Sequence, residues 1–231
     1  MNQLILECQK FLDDFKYTYA FCGGYALELF TKTQNRPHSD IDITVFNEDR
    51  KSIIAYILSK GWNVYEPTHN PDNLLLITDP NDEKVLNALC LWVIKPDSTL
   101  VNVRRKRGAD QVFNFEITNK EQLNFDFFEI IFNTEKDGSF VCDKEKNILR
   151  DLGKAILYAG DIPYLAPEII LFITANPAYI ESDYHREKTN IDWKITTPFL
   201  SKESLKWLIH ALKAAYPDGN RRIDELMILN E

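Results

Sequence analysis

No apolar run in this 231-residue chain approaches the ~18–20 residues that a membrane-spanning helix needs, so no span is expected. The opening MNQLILECQKFLDDF lacks the basic start of a secretory signal and carries acids inside its apolar pattern, so no signal peptide is expected there. Positive charge is in the minority: 27 Lys and Arg against 35 Asp and Glu leave a formal net charge of -8, which argues against a general nucleic-acid binder. Cysteine is sparse. Cys8, Cys22, Cys90 and Cys142 are scattered and no pair has metal-ligand spacing, so reduced thiols in a cytoplasmic protein are the expectation. Neither an internal repeat nor a low-complexity segment occurs. What remains is an ordinary globular composition, 45% hydrophobic and 27% charged, long enough for one large domain or two modest ones.

The sharpest chemistry lies in residues 22–46, CGGYALELFTKTQNRPHSDIDITVF. Gly23 and Gly24 follow a short apolar run and turn the chain into a helix. Backbone N–H groups at such a start suit phosphate oxygens, and a missing side chain lets a phosphate approach. A polar loop then leads to Asp40-Ile41-Asp42-Ile43. Residues two apart on a strand share a face, so Asp40 and Asp42 point one way while Ile41, Ile43 and Val45 point the other. Two neighbouring carboxylates repel, and are tolerated if exposed or if a divalent cation lies between them. Magnesium takes hard oxygen ligands, typically one or two carboxylates plus substrate phosphates.

Periodicity predicts an amphipathic helix over residues 2–16, a helix over 25–30, and a third over 50–60 with Asp49 as N-cap and Gly61 as its stop. Strands are expected at 17–22, 40–46, 62–65, 73–77, 88–94, 100–103, 112–117 and 125–132. Lys136-Asp137-Gly138-Ser139 reads as a hairpin turn before a returning strand at 140–142. Beyond about residue 145 only helices are expected, at 166–175, 184–194 and 201–216, the last capped by Ser201. Arg104–Arg107 reads as a solvated basic loop. His69, His185 and His210 have no partner at ligand spacing and read as structural.

GGYALELF followed by RPHSDIDI resembles the nucleotidyltransferase signature of the DNA polymerase β-like superfamily. It is most similar to the branch containing aminoglycoside 2''-nucleotidyltransferases and lincosamide nucleotidyltransferases. Tyr25 stands where that branch has Trp, while Arg36, His38, Asp40 and Asp42 match. DIPYLAPEIILF (161–172) is similar to the segment opening the family's helical domain, and DGSFVCDKE (137–145) to its hairpin. The chain departs at Thr174 and Asn176, where lysines are common, and at Thr189, which replaces an acid; Lys188 and Asp192 persist.

The resemblance implies an α+β fold: a nucleotidyltransferase-fold mixed β-sheet flanked by helices over residues 1–147, followed by a small helical C-terminal domain over 148–231. It implies transfer of a nucleoside monophosphate from a nucleoside triphosphate, with ATP the expected donor, to a hydroxyl of a small molecule. Two magnesium ions would bridge triphosphate and carboxylates. Asp40 and Asp42 would be ligands, and a third acid from a later strand would join them. Asp126 and Glu129 are the candidates. Three apart, they face opposite ways on a regular strand, and, counted back from the hairpin at 137–142, Glu129 falls where similar proteins carry their acid, so the resemblance favours Glu129. Gly23, Gly24, Arg36, His38 and Lys188 would serve the nucleotide. The missing lysines leave open a weak or inactive nucleotide-binding relative, and the superfamily also contains protein-modifying enzymes of toxin–antitoxin type. Neither nucleic acid nor membrane is an expected partner.

Overall fold

A computed structural model describes residues 2–68, 72–82, 86–142, 147–177 and 183–230, and the described residues form eight α-helices and twelve strands. In order these are α1 (Gln3–Phe11), β1 (Tyr19–Cys22), α2 (Gly23–Thr31), β2 (Asp42–Phe46) and α3 (Arg50–Ser59). Then come β3 (Asn63–Pro67), β4 (Asn73–Ile77), β5 (Cys90–Ile94), β6 (Val101–Arg105), β7 (Val112–Ile117), β8 (Phe127–Lys136) and β9 (Ser139–Val141). The remainder is β10 (Leu149–Asp151), the single turn α4 (Leu152–Ala155), β11 (Ile156–Ala159), β12 (Ile162–Leu165), α5 (Pro167–Thr174), α6 (Asp183–Thr196), α7 (Lys202–Ala215) and α8 (Arg221–Asn230). His69, Pro71 and the 143–145 end of the hairpin segment lie outside the described residues. Among those described, no helix is long and apolar enough to cross a membrane.

The chain forms two compact units, Met1–Phe21 with Pro37–Asn133, and Cys22–Arg36 with Thr134–Glu231. The first is built on a mixed sheet in the order β1-β2-β8-β5-β3-β4-β7-β6. β2 and β8 run parallel, which the long connection between them allows; β8 with β5, β5 with β3, β3 with β4, β4 with β7 and β7 with β6 are antiparallel. One sheet face is apolar throughout its centre. Ile41, Ile43, Val45, Phe128 and Ile130 are essentially inaccessible, and each such side chain contributes about 1.5–3 kcal/mol. α1 and α3 belong to this unit. Leu4, Ile5 and Cys8 of α1 and Ile53, Ile54 and Ile57 of α3 are buried. Phe11 packs on Trp62, with ring centroids 4.8 Å apart, and on Phe128 at 5.6 Å. That packing leaves the opposite face of β2 and β8 for polar residues.

Local signals explain most element ends. Asn2 caps α1 by accepting from the Leu4 amide at 2.9 Å. α1 ends at Phe11, short of the expected residue 16. Asp49 occupies the N-cap of α3, but its side chain makes no capping bond, because a 3-10 turn (Asn47–Asp49) precedes the helix. Arg104 and Arg105, expected in a loop, end strand β6.

In the second unit, Asp137 (φ 52°) and Gly138 (φ 74°) both adopt the left-handed conformation that a two-residue type I′ hairpin demands. They join the end of β8 to β9. α2 packs against α5 and α6, α5 against α7, and α7 against α8. Ser201 caps α7 by accepting from the Ser204 amide at 3.1 Å. The expectation of helices alone after residue 145 is corrected here: β10, β11 and β12 precede α5. These strands are three or four residues long, too short for an alternating pattern to announce them. Tertiary pairing supports them instead: β10 lies on β9, and β11 with β12 makes a hairpin.

A cluster of three carboxylates on the polar sheet face

β2 begins at Asp42, with Asp40 two residues before it. The alternation sends Ile41 and Ile43 into the core and turns both carboxylates to the other face. β8 lies beside β2 in parallel register, which sets Glu129 directly opposite Asp42. The Glu129 amide donates to the Ile41 carbonyl at 2.7 Å, fixing that register locally. Asp40, Asp42 and Glu129 can each offer one carboxylate oxygen with all three within 4.8 Å of one another, and all are partly buried. Asp126 is not in this cluster. It is buried and accepts from both the amide and the hydroxyl of Thr99. The alternation along the strand separates the two candidates, and the register decides which faces Asp42.

The row continues beyond the acids. Trp92 of β5 is opposite Glu129, and Tyr65 of β3 is opposite Trp92. Asp42, Glu129, Trp92 and Tyr65 therefore form one line across four neighbouring strands, on one face. Trp92 meets Phe115 edge-on at 4.7 Å and Phe127 at 5.1 Å. Further along the same face of β8, Asn133 donates to the Thr44 hydroxyl, tying β8 to β2 beyond the acids. The accumulated negative charge registers on Cys90, next to the cluster on β5. Burial first, then the charges of Glu129, Asp42 and Glu66, push its thiol up to about 12.

Three hard oxygen donors at this spacing suit magnesium or manganese better than a soft metal. Like charges this close, half withdrawn from water, are costly unless a cation or protons offset them. The residues present thus fit a divalent-ion site.

The other residues singled out by sequence are placed as follows. His38 belongs to the same unit as the acids; it is buried, and its carbonyl accepts from the Gln122 amide at 2.9 Å. Gly23, Gly24, Arg36 and Lys188 belong to the second unit. Gly23 and Gly24 are the first residues of α2. Gly23 has φ 60°, and Cys22 before it supplies no capping side chain. Arg36 forks onto Asp192 of α6, with Nε and Nη2 at 3.1 and 2.9 Å from the two carboxylate oxygens. Lys188, on the same helix, is partly buried. Thr174, where the resemblance leads one to expect a lysine, turns its hydroxyl onto its own helix, donating to the Ile170 carbonyl at 3.0 Å and accepting from the Trp193 indole at 3.3 Å.

Sequence reasoning missed the fork from Arg36 to Asp192. The matching motif had marked both residues, but nothing in the chain joins positions so far apart. It also missed the partner of Glu168, the acid in YLAPE. Glu168 is almost wholly buried and meets Arg150 at 2.6 Å.

Comparison with known proteins places these features in a context. The profile of the aminoglycoside-2''-adenylyltransferase family matches residues 4–123, just over half of the chain. The match includes Asp40 and Asp42 and stops short of Glu129. No curated protein matches in sequence. Among solved structures, ANT(2")-Ia in complex with adenylyl-2"-tobramycin aligns with 94% of this chain and 99% of its own, at 15% identity and a TM-score of 0.51. The lincosamide antibiotic adenylyltransferase LnuA, lincomycin-bound, aligns with 87% of this chain and 98% of its own, at 15% identity and a TM-score of 0.47. At 15% identity the likeness to ANT(2")-Ia speaks for the fold alone.

Proposed function

We propose, from the premise that this chain belongs to the aminoglycoside-2''-adenylyltransferase family, that it transfers a nucleoside monophosphate from a nucleoside triphosphate to a hydroxyl of a small molecule. The family is one of nucleotidyltransferases, so the enzyme class follows from membership. The metal, the donor and the residue roles are our proposal. The observation that supports it most is the cluster of Asp40, Asp42 and Glu129, whose carboxylate oxygens lie within 4.8 Å of one another.

In the proposed reaction the acceptor hydroxyl oxygen bonds to the α-phosphorus. The bond from that phosphorus to the bridging oxygen of the β-phosphate breaks, and pyrophosphate leaves with the electron pair. The hydroxyl proton passes to a base. Asp40, Asp42 and Glu129 would hold magnesium, two ions being the usual number in such transfers, which supplies positive charge against the triphosphate and the developing alkoxide. Glu129 is our candidate for the base because of its position, directly opposite Asp42 on the neighbouring strand. Gly23 and Gly24 would offer backbone amides to phosphate oxygens at the start of α2. Arg36 and Lys188 are proposed as cations for the nucleotide and His38 as a support of the loop before Asp40. We take ATP as the donor.

The test is pyrophosphate release by the purified protein with magnesium, each common nucleoside triphosphate and a panel of hydroxyl compounds, with Asp42→Asn alongside. Release that needs both magnesium and an acceptor, and that falls at least ~100-fold in Asp42→Asn, is the expected result. Full activity in Asp42→Asn would sink the proposal. Thr174 holds its hydroxyl on its own helix, at a position where the resemblance leads one to expect a lysine, which favours one second reading: a relative that binds nucleotide without turning it over. Calorimetric binding of a nucleotide, with no release across the whole panel, would select it.

A further inference from the structure

Three carboxylates with oxygens within 4.8 Å of one another push apart. Strand pairing resists that push for two of them, because β2 and β8 hold Asp42 opposite Glu129. Asp40 stands ahead of β2, outside the ladder. The bond from the Glu129 amide reaches back to the Ile41 carbonyl. Something further must keep the segment before it in place.

Gln122 lies at that end. It belongs to the connection between β7 and β8 and is 3% exposed. Its backbone amide donates to the His38 carbonyl at 2.9 Å, two residues before Asp40. Its side-chain Nε2 donates to the Phe127 carbonyl at 2.7 Å, two residues before Glu129, and to the Asn124 carbonyl at 3.1 Å. All of these residues belong to the first unit. One residue thus ties the approach to Asp40 to the head of the strand that carries Glu129. The Oε1 of Gln122 is buried and has no hydrogen-bond partner among the described residues. Reversing the amide would set that oxygen against two carbonyl oxygens, so the carbonyls fix its orientation. His38, Ser39 and Ile41 around Asp40 are buried as well, so Asp40 moves outward only if its segment shifts at the His38 carbonyl.

We infer that Gln122 is a positioning residue of the carboxylate cluster, holding Asp40 at the distance from Glu129 at which both can reach one cation. The inference rests on the metal reading of the cluster and adds to it a residue outside the three acids. Without the side-chain bonds, repulsion displaces Asp40 in the metal-free protein, and a cation must draw it back at a cost in affinity. The backbone bond to His38 survives any substitution, so the segment loosens without detaching.

Calorimetric titration of the full chain with manganese tests this. Gln122→Met keeps the length of the side chain but donates nothing. Gln122→Asn keeps the amide but withdraws it by one methylene. Each should weaken manganese binding by about 10-fold. Asp126→Asn, which disturbs the bonds to Thr99 at the head of β8 and leaves the Gln122 bonds alone, should not weaken it. In an Asp40→Asn background, Gln122→Met should cost less than about 2-fold more, because the residue acts through Asp40. In chelator, where no metal takes part, hydrogen exchange of the Glu129 amide should speed up by about 10-fold in both Gln122 variants. Undiminished manganese affinity in either folded Gln122 variant, or unchanged exchange at Glu129, would overturn the inference. So would the whole loss persisting in the Asp40→Asn background, or an equal loss in Asp126→Asn, since either marks a general weakening of the fold. A wild type that binds no manganese, with the exchange effect present, would overturn the metal reading of the acids and this role with it.

Discussion

Glu129 stands directly opposite Asp42 in the parallel pairing of β2 with β8, although 87 positions of chain separate them. The buried backs of the two strands hold this register: a one-residue slip would turn Ile130 and Phe128 out of the core and Glu129 into it. Two carboxylates are thus forced together by the packing of the apolar residues beside them, and the consequences can be measured.

Neutralising one acid should stabilise the protein without metal and remove its response to metal. Asp42→Asn and Glu129→Gln are each expected to raise the melting temperature slightly in chelator, because repulsion is relieved. Wild type should gain about 2.7 kcal/mol when magnesium is at a hundred times its Kd, and the variants far less. Thermal denaturation with and without magnesium checks this; equal gains in wild type and variants would refute it.

Asp126 should behave in the opposite way. Its carboxylate holds the Thr99 amide and hydroxyl, so Asp126→Asn should cost about 1–3 kcal/mol of stability. The magnesium-dependent gain should persist. Loss of that gain in urea titrations would instead make Asp126 the third ligand.

The pair of Arg150 and Glu168 should be costly to break and cheap to replace. Side-chain exposure is 9% and 2%, and among the described residues neither Nε of Arg150 nor Oε2 of Glu168 has a hydrogen-bond partner. Glu168→Ala should destabilise by about 3–5 kcal/mol, because Arg150 is left charged and buried. The double variant Arg150→Met, Glu168→Leu should recover most of that loss in denaturant unfolding. A neutral single variant would show that the pair carries no such penalty.

Acid should loosen the joint between α1 and α3. Asp14 accepts from Lys60 at 2.7 Å and from the Tyr56 hydroxyl at 2.7 Å, and those bonds, Lys60 first, hold its carboxyl below the usual range. The unfolded chain therefore takes up the proton first as pH falls, so the contribution is present at neutral pH and lost as pH drops through the folded value. The stability difference between wild type and Asp14→Asn should shrink below about pH 4. A difference constant from pH 7 to pH 3 would refute the assignment.

How much of this was legible in the chain differs from element to element. The alternation Asp40-Ile41-Asp42-Ile43 states which side chains are buried and which face out, because a strand has a period of two wherever it lies. Asp137-Gly138 announces its hairpin, because few residues tolerate two successive left-handed conformations. α7 announces itself through Ser201 and a periodic run. β10 to β12 do not, since each is shorter than the pattern that would reveal it, and their pairing partners supply the stability.

Sequence alone therefore determined the nature of the site: two carboxylates on one strand face, opposite a buried face, after a glycine turn. The family resemblance called for a third acid and left Asp126 and Glu129, with Glu129 preferred. Only the tertiary structure brings Glu129 beside Asp42, sets Trp92 and Tyr65 in line with the acids, and joins Arg36 to Asp192. The physical reason is the same in each case. Periodicity and capping are properties of neighbours in the chain, whereas register between distant strands follows from how their apolar faces pack, and no local pattern records it.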